Sequence, residues 1–231
     1  MAPVSTESLP SIDYDGGEPA GGENLFAAWE SGSTSHIPAP LSVRRPRYRR
    51  VIVYLAMRYA SRFKRRILSV GAGNGFTELA LTEAGFSVLA TDRSPVAVEY
   101  CRRKGLMASQ FDFPGGPMPA EDPFDVLYCD GMLGHLWLPQ QGLAVVWSRF
   151  AQLGTKDAVL ILSNDLAERD GEPDFEVFGQ PTARFFRPSA GWFAADARAS
   201  GSWVCEVSRV LHYKRPKGRR RREVLVLKRA Y

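Results

Sequence analysis

The apolar residues of this chain change period along its length, and those changes divide it. Residues 1–23 hold no sustained apolar period and are rich in Gly, Pro, Ser and acidic side chains, which predicts a flexible N-terminal arm. Glu23–Trp29 has the length and spacing of a short helix, and SGSTSHIPAP ends it with Gly, Ser and two prolines. Apolar positions then recur at helical spacing through Val51–Phe63. Residues 24–66 are read as N-terminal helices that lead into a main domain over residues 67–231.

From Ile67 the pattern alternates between short apolar runs and helical spacing. It predicts strands at Ile67–Val70, Ser87–Thr91, Ala108–Gln110, Phe124–Cys129 and Ala158–Ser163, with helices at Phe76–Ala84, Pro95–Lys104 and Gln141–Leu153. Strands that take turns with helices make an α/β domain, in which a mostly parallel sheet is covered by helices on both faces. The tail differs: Trp203–Tyr213 and Glu223–Lys228 are two β-rich runs joined by KRPKGRRRR, which reads as a C-terminal antiparallel hairpin.

Composition narrows the class. A chain of 231 residues with 45% hydrophobic side chains is long enough for one sizeable core. No stretch approaches the roughly 20 apolar residues of a membrane helix, and the first residues carry neither a basic nor an apolar leader pattern. The three cysteines, Cys101, Cys129 and Cys205, are widely spaced and suit neither a disulfide framework nor a zinc site. A cytoplasmic protein without a metal is the expectation. Charge adds one complication, because 16 of the 30 basic residues sit in three tracts, Arg44–Arg50, Arg62–Arg66 and Lys214–Arg222, that contain no acidic side chain. Such tracts are either solvated surface or the footprint of a polyanionic partner.

The candidate chemistry begins at ILSVGAGNGFTELAL. Gly71, Gly73 and Gly75 stand between a predicted strand and a predicted helix, where glycine permits a tight turn and close backbone approach to a ligand. Twenty-one positions after Gly71, at the end of the next strand, comes Asp92, placed for the hydroxyls of a ribose. A dinucleotide loop requires a third glycine at position 76, which is Phe76. The G-x-G-x-G pattern, with Asp92, Asp112-Phe113, FDVLYCDG and the terminal strand pair, resembles the class I S-adenosylmethionine-dependent methyltransferases over about residues 65–230. The resemblance implies a Rossmann-like, seven-stranded sheet and S-adenosylmethionine as cofactor. It also implies roles: Gly71, Ala72, Gly73 and Gly75 cradle the methionine portion, and Asp92 binds the ribose. Arg93 lies beside the adenine, and Asp112 accepts from its amino group with the backbone of Phe113 donating nearby. Asp130 and Gly131 line the sulfonium end.

Methyl transfer is an in-line displacement that chiefly needs alignment, with a proton acceptor where the nucleophile is a hydroxyl or an acidic carbon. His135, in DGMLGHLW just after the fourth strand, is the first candidate for that acceptor, with Asp130 orienting a substrate amine or holding the methionine amino group. The same stretch is similar to small-molecule N-methyltransferases of natural-product pathways. Tyr14, Trp29 and His36 lie in the N-terminal region that covers the active site in this family, and with Asp165 after the fifth strand they are candidate substrate contacts. An aromatic-rich insertion after Asp165 is a candidate pocket wall. The leading function is therefore methylation of a nitrogen or oxygen of a small molecule. An RNA-directed methyltransferase is the alternative that the arginine tracts raise, although the N-P-P-Y or D-P-P-Y tetrapeptide of base-methylating enzymes is absent.

Overall fold

A computed structural model describes residues 24–32, 39–60, 65–169, 171–178, 183–215 and 218–230. The chain runs through α1 (Leu25–Ser31), α2 (Leu41–Arg44), α3 (Pro46–Tyr59), β1 (Arg66–Val70), α4 (Phe76–Glu83), β2 (Ser87–Asp92), α5 (Pro95–Arg103), β3 (Met107–Gln110) and β4 (Phe124–Asp130). It continues through α6 (Leu133–Leu136), α7 (Ala144–Leu153), β5 (Gly154–Asp165), β6 (Asp174–Phe178), β7 (Ala183–Arg187), α8 (Trp192–Ala199), β8 (Trp203–Arg215) and β9 (Gly218–Arg229). Seven strands form one sheet in the order β3-β2-β1-β4-β5-β9-β8, parallel from β3 to β5 and antiparallel over β9 and β8. This is the Rossmann-like α/β architecture expected from the sequence. The order reverses between β1 and β4, and open α/β sheets place their ligands beyond the carboxyl ends of the strands at such a point.

Both faces of the central strands are apolar because side chains alternate and helices cover each side. Ile67, Val88, Val126, Tyr128, Val159 and Ile161 point toward α3 and α4, where they meet Ile52, Leu55 and Leu81. Leu68, Leu127, Cys129, Leu160 and Leu162 point the other way, onto Trp147 and Phe150 of α7 and Phe193 of α8. Two buried indoles tie this second layer together: Trp147 Nε1 donates to Asp196 Oδ2 at 2.7 Å and Trp203 Nε1 donates to the Trp147 carbonyl at 3.1 Å.

Local rules place the helix starts. Pro46 occupies the first turn of α3 and Pro95 that of α5, and Ser94 caps α5 by accepting from Ala97 N. The first of these moves a boundary, since the helix expected over Val51–Phe63 begins five residues earlier at Pro46 and ends at Tyr59. The aromatic insertion contains a separate two-stranded sheet, β6 paired with β7, that neither helical nor strand periodicity predicts. The basic tract expected to be a turn is mostly strand: β9 starts at Gly218, and β8 and β9 continue past the last β5 partner, Asp165 opposite Arg222, as a two-stranded arm.

Trp147 is fully buried at the centre of the α7 layer, so Trp147→Ala is expected to cost about 3–5 kcal/mol of folding free energy. A urea titration of both proteins measures the difference; a loss under about 1 kcal/mol is incompatible with this packing.

Candidate active site

Three glycines between β1 and α4 take positive φ, at 74° for Gly71, 54° for Gly73 and 74° for Gly75, a region costly for any other residue. The loop is stitched to the end of β2: Gly71 N and Ala72 N both donate to the Thr91 carbonyl at 2.9 Å. Gly73 N donates to Asp92 Oδ2 at 2.9 Å, while Asp92 Oδ1 accepts from Ser94 N at 3.0 Å. The carboxylate and the glycine loop, separated by about twenty residues in sequence, are thus in direct contact. A Cβ on Gly71 would stand 3.1 Å from Met132 Sδ, so the turn after β4 closes on the same loop.

The adenine-side candidates fall on the neighbouring turn. Arg93 is exposed and its carbonyl accepts from Gln110 Nε2 at 2.9 Å. Asp112 is exposed on a turn closed by Gly116 N donating to its carbonyl, at 2.7 Å. The Phe113 ring is buried 4.5 Å from Phe150, and its carbonyl accepts from Arg149 Nε at 3.1 Å. Trp29, on α1, stacks edge-on against Phe26 at 5.7 Å. Tyr14 and His36 lie outside the described residues.

Sequence reasoning missed what holds α1 over the loop. Asn74 Nδ2 donates to the Phe26 carbonyl at 2.9 Å and to Glu30 Oε2 at 2.7 Å, and Lys104 Nζ pairs with Glu30 at 2.6 Å. The sequence offers a weak signal for this, a polar residue inside an otherwise small-residue loop. Glu78 was missed as well. It is buried on α4, accepts from Ser69 Oγ at 2.6 Å, and burial pushes its carboxyl up to about 7 against the lowering effect of that bond.

Asp130 and Asp165 belong to one buried polar network. Arg222 Nη2 meets Asp130 Oδ1 at 2.5 Å, its Nη1 meets Asp165 Oδ1 at 3.0 Å and its Nε donates to Ser163 Oγ at 2.6 Å. Tyr48 Oη donates to Asp130 at 3.0 Å, and Tyr213 Oη lies 2.8 Å from Asp165 Oδ2. Side-chain exposures of 3% for Arg222, 8% for Asp130 and 6% for Asp165 set this network beneath the surface. Burial works to lower the Arg222 pKa, but Asp130 and Asp165 outweigh it and hold the guanidinium charged. Burial, followed by the charge of Asp130, raises the Tyr48 phenol well above its ordinary value. Asp130 is therefore an ion-pair partner at the end of β4, and its carboxylate is directed to Arg222 and Tyr48. Asp165 is likewise directed to Arg222, Tyr213 and Arg215.

His135 sits on α6, apart from this network, with its ring 4.6 Å from Phe185 of β7. Burial lowers its pKa to about 4, so the imidazole is neutral at physiological pH. Gly134 beside it is forced by contact: a Cβ there would stand 2.5 Å from the Phe186 carbonyl and 2.7 Å from the Phe185 ring. Among the described residues no group of His, Cys, Asp and Glu is arranged to hold a metal ion. Nor is any helix among them long and apolar enough to cross a membrane.

Among the described residues of the Lys214–Arg222 tract, Arg215, Arg220, Arg221 and Arg222 find partners within the chain, while Lys214 and Arg219 are exposed. Arg220 pairs with Glu168 at 2.5 Å and Glu176 at 3.3 Å, Arg221 donates to the Ala167 carbonyl at 2.8 Å, Arg215 lies 3.4 Å from Asp165, and Arg222 is buried.

Glu78 gives this region a pH signature. The folded carboxyl holds its proton up to about pH 7, whereas an exposed one releases it near 4.5. The folded state therefore binds more protons across that window, so stability falls as pH rises from about 4.5 to 7 and levels off above it. The contribution is on the order of 3 kcal/mol. Glu78→Gln is expected to unfold at higher urea than the parent at pH 8 and at nearly the same urea at pH 5; an equal shift at both values rules out this ionisation.

Residues 68–155 match a methyltransferase domain family. A tabtoxin biosynthesis enzyme of Pseudomonas amygdali pv. tabaci is 29% identical over 199 residues, covering 83% of this chain and 75% of that protein. The 1,6-didemethyltoxoflavin-N1-methyltransferase of Burkholderia thailandensis, crystallised with 1,6-didemethyltoxoflavin and S-adenosylhomocysteine, aligns at a TM-score of 0.63 and 19% identity over 89% of this chain and 85% of that one. A glycopeptide N-methyltransferase aligns at a TM-score of 0.57 and 13% identity over 78% of this chain and 94% of that one. The stretch that matches the methyltransferase domain carries the glycine loop, Asp92 and the turn after β4, and the sheet order is that of the Rossmann-like fold shared with the solved methyltransferases.

Proposed function

We propose that this protein transfers the methyl group of S-adenosylmethionine to a nitrogen of a small molecule made in secondary metabolism, and that it does so in the cytoplasm. The observation that carries the cofactor reading is the 2.9 Å contact between Gly73 N and Asp92 Oδ2, which sets a carboxylate against a backbone turn of positive-φ glycines. A carboxylate offers about four acceptor positions, so Asp92 serves the loop and the two ribose hydroxyls together. The methionine portion is assigned to the backbone at Gly71 to Gly73, beside Met132 and Phe26. Asp112 and the backbone of Phe113 take the adenine edge, with Arg93 beside it. When bound, S-adenosylmethionine supplies an electrophilic methyl carbon on a sulfonium.

The rest falls to the chain's own residues. Arg222 and Tyr48 hold Asp130, and hence Gly131 and Met132, against the glycine loop, which fixes the floor where the methyl group lies. His135 stands on the acceptor side, beyond the end of β4. An imidazole with a pKa of about 4 is too weak a base for a hydroxyl or a carbon acid. A nitrogen that arrives neutral attacks the methyl carbon without a base, orients its N–H toward the His135 ring as hydrogen-bond acceptor, and releases its proton to solvent after transfer. That chemistry supports nitrogen over oxygen. The two N-methyltransferases that share the fold and the toxin-pathway relative support the same reading. Trp29 on α1 is the described member of the N-terminal substrate contacts.

An RNA substrate is the weaker reading, because Arg215, Arg220 and Arg222 of the Lys214–Arg222 tract are turned onto Asp165, Glu168, Glu176 and Asp130.

Calorimetric titration with S-adenosylhomocysteine tests the cofactor assignment: the parent protein is expected to bind it, and Asp92→Ala to bind at least about tenfold more weakly, the loss of one charge-assisted hydrogen-bond partner. Equal affinity of the two proteins contradicts the ribose role. His135→Gln is expected to retain that affinity while turnover of an accepted substrate falls about 10²-fold or more. Because His135 stays neutral down to about pH 4, the acid limb of kcat for the parent is expected near 4 and not near 6.5; a limb at 6.5 that His135→Gln abolishes excludes the half-buried, neutral imidazole described above.

A further inference from the structure

The β6–β7 hairpin is bound to the main sheet by charge, and its ladder is separate from the seven-stranded one. Register puts Asp174 opposite Arg187 and Glu176 opposite Phe185, so the acidic pair, Arg187 and Phe185 share one face. Phe175 and Phe186 occupy the other face, where Phe186 stacks on Trp137 with ring centroids 4.4 Å apart.

On the charged face two guanidiniums share three carboxylates. Arg187, 5% exposed, meets Asp174 at 2.5 Å, Glu176 at 3.3 Å and Glu168 at 3.8 Å. Arg220, reaching across from β9, meets Glu168 at 2.5 Å and Glu176 at 3.3 Å. The clasp therefore joins three pieces of chain: the hairpin, the loop after β5 and the β8–β9 arm. Its consequence lies close by, because Arg187 and Phe185 sit on the same strand and the same face, and Phe185 is the ring packed on His135 and against Gly134.

We propose that Arg187 and Arg220 are positioning residues for the acceptor side of the active site: by clasping Glu168, Asp174 and Glu176 they hold the β6–β7 hairpin down on α6, which fixes the Phe185 ring against His135 and sets the size of the space that the methyl acceptor enters. The proposal rests on the acceptor-side role given to His135 above. Partly buried pairs with several partners each are the ion pairs whose loss is felt, since removing one member strands the others away from water. The clasp's carboxylates lie on the hairpin and the loop after β5, whereas the glycine loop is held by Thr91 and Asp92, so the clasp bears on the acceptor and leaves the cofactor alone.

The test needs no identified acceptor. Arg220→Gln removes the main-sheet half of the clasp and leaves Arg187 with its hairpin carboxylates. Amide hydrogen exchange in β6 and β7 is expected to quicken about tenfold or more while exchange in β1, β4 and β5 stays unchanged. The His135 ring protons, followed by NMR against pH, are expected to titrate near 4 in the parent and closer to 6.5 in the variant, as water reaches the imidazole. Arg220→Lys is expected to restore part of both, and S-adenosylhomocysteine affinity is expected to change less than twofold in either variant. Unchanged hairpin exchange together with an unchanged His135 titration in Arg220→Gln overturns the proposal. If Arg220→Gln does not fold, Glu168→Gln, a change at a largely exposed carboxylate, is followed by the same two measurements, and the same outcomes support or overturn the clasp. A parent protein that binds no S-adenosylhomocysteine defeats the cofactor reading and leaves these two measurements to decide the clasp separately.

Discussion

One buried guanidinium fixes the geometry at the carboxyl end of this sheet. Arg222 joins β9 to the tips of β4 and β5 through Asp130, Asp165 and Ser163, and through Asp130 it reaches Tyr48 on α3. Charges in such a place cost several kcal/mol to desolvate, a cost offset only when each finds its partners at close range. Here every arm of the guanidinium is used. Four elements distant in sequence therefore meet in one register, and the turn at Gly131 and Met132 is set against the glycine loop.

The same need for close partners explains where the positive charge goes. A run of arginines suggests a surface that waits for an anion, yet in Lys214–Arg222 the side chains of Arg215 and Arg222 turn to Asp165 and Asp130, and that of Arg220 to Glu168 and Glu176. For these three arginines the anions are the chain's own, and Glu168 and Glu176 also receive Arg187 of β7. The glycine loop and the β6–β7 hairpin have different supports: backbone amides and Asp92 for the loop, ion pairs and an aromatic cluster of Trp137, Phe175, Phe186 and Trp192 for the hairpin.

Much of the architecture was legible because it depends on local period and local chemistry. Alternating strand and helix runs fixed the parallel part of the sheet, and glycines in a strand-to-helix turn marked the loop where positive φ is needed. The β6–β7 hairpin was not legible. Its strands are five residues each, with Phe185 and Phe186 adjacent, and adjacent apolar residues hide the period of two by which a strand is recognised. The start of α3 was misplaced because an arginine-rich first turn masks the apolar spacing, although Pro46 was a signal for it.

Sequence by itself determined the α/β class, the glycine loop, and the strand end that carries Asp92, since each follows from short-range periodicity and backbone sterics. Only the tertiary structure decided which partners the acidic residues find. Along the chain Asp130 reads as a catalytic or cofactor-binding residue and Asp165 as a substrate contact; in space both carboxylates face Arg222, 92 residues beyond Asp130. His135 likewise became a neutral imidazole because a hairpin from elsewhere in the chain covers it, and burial disfavours its charged form.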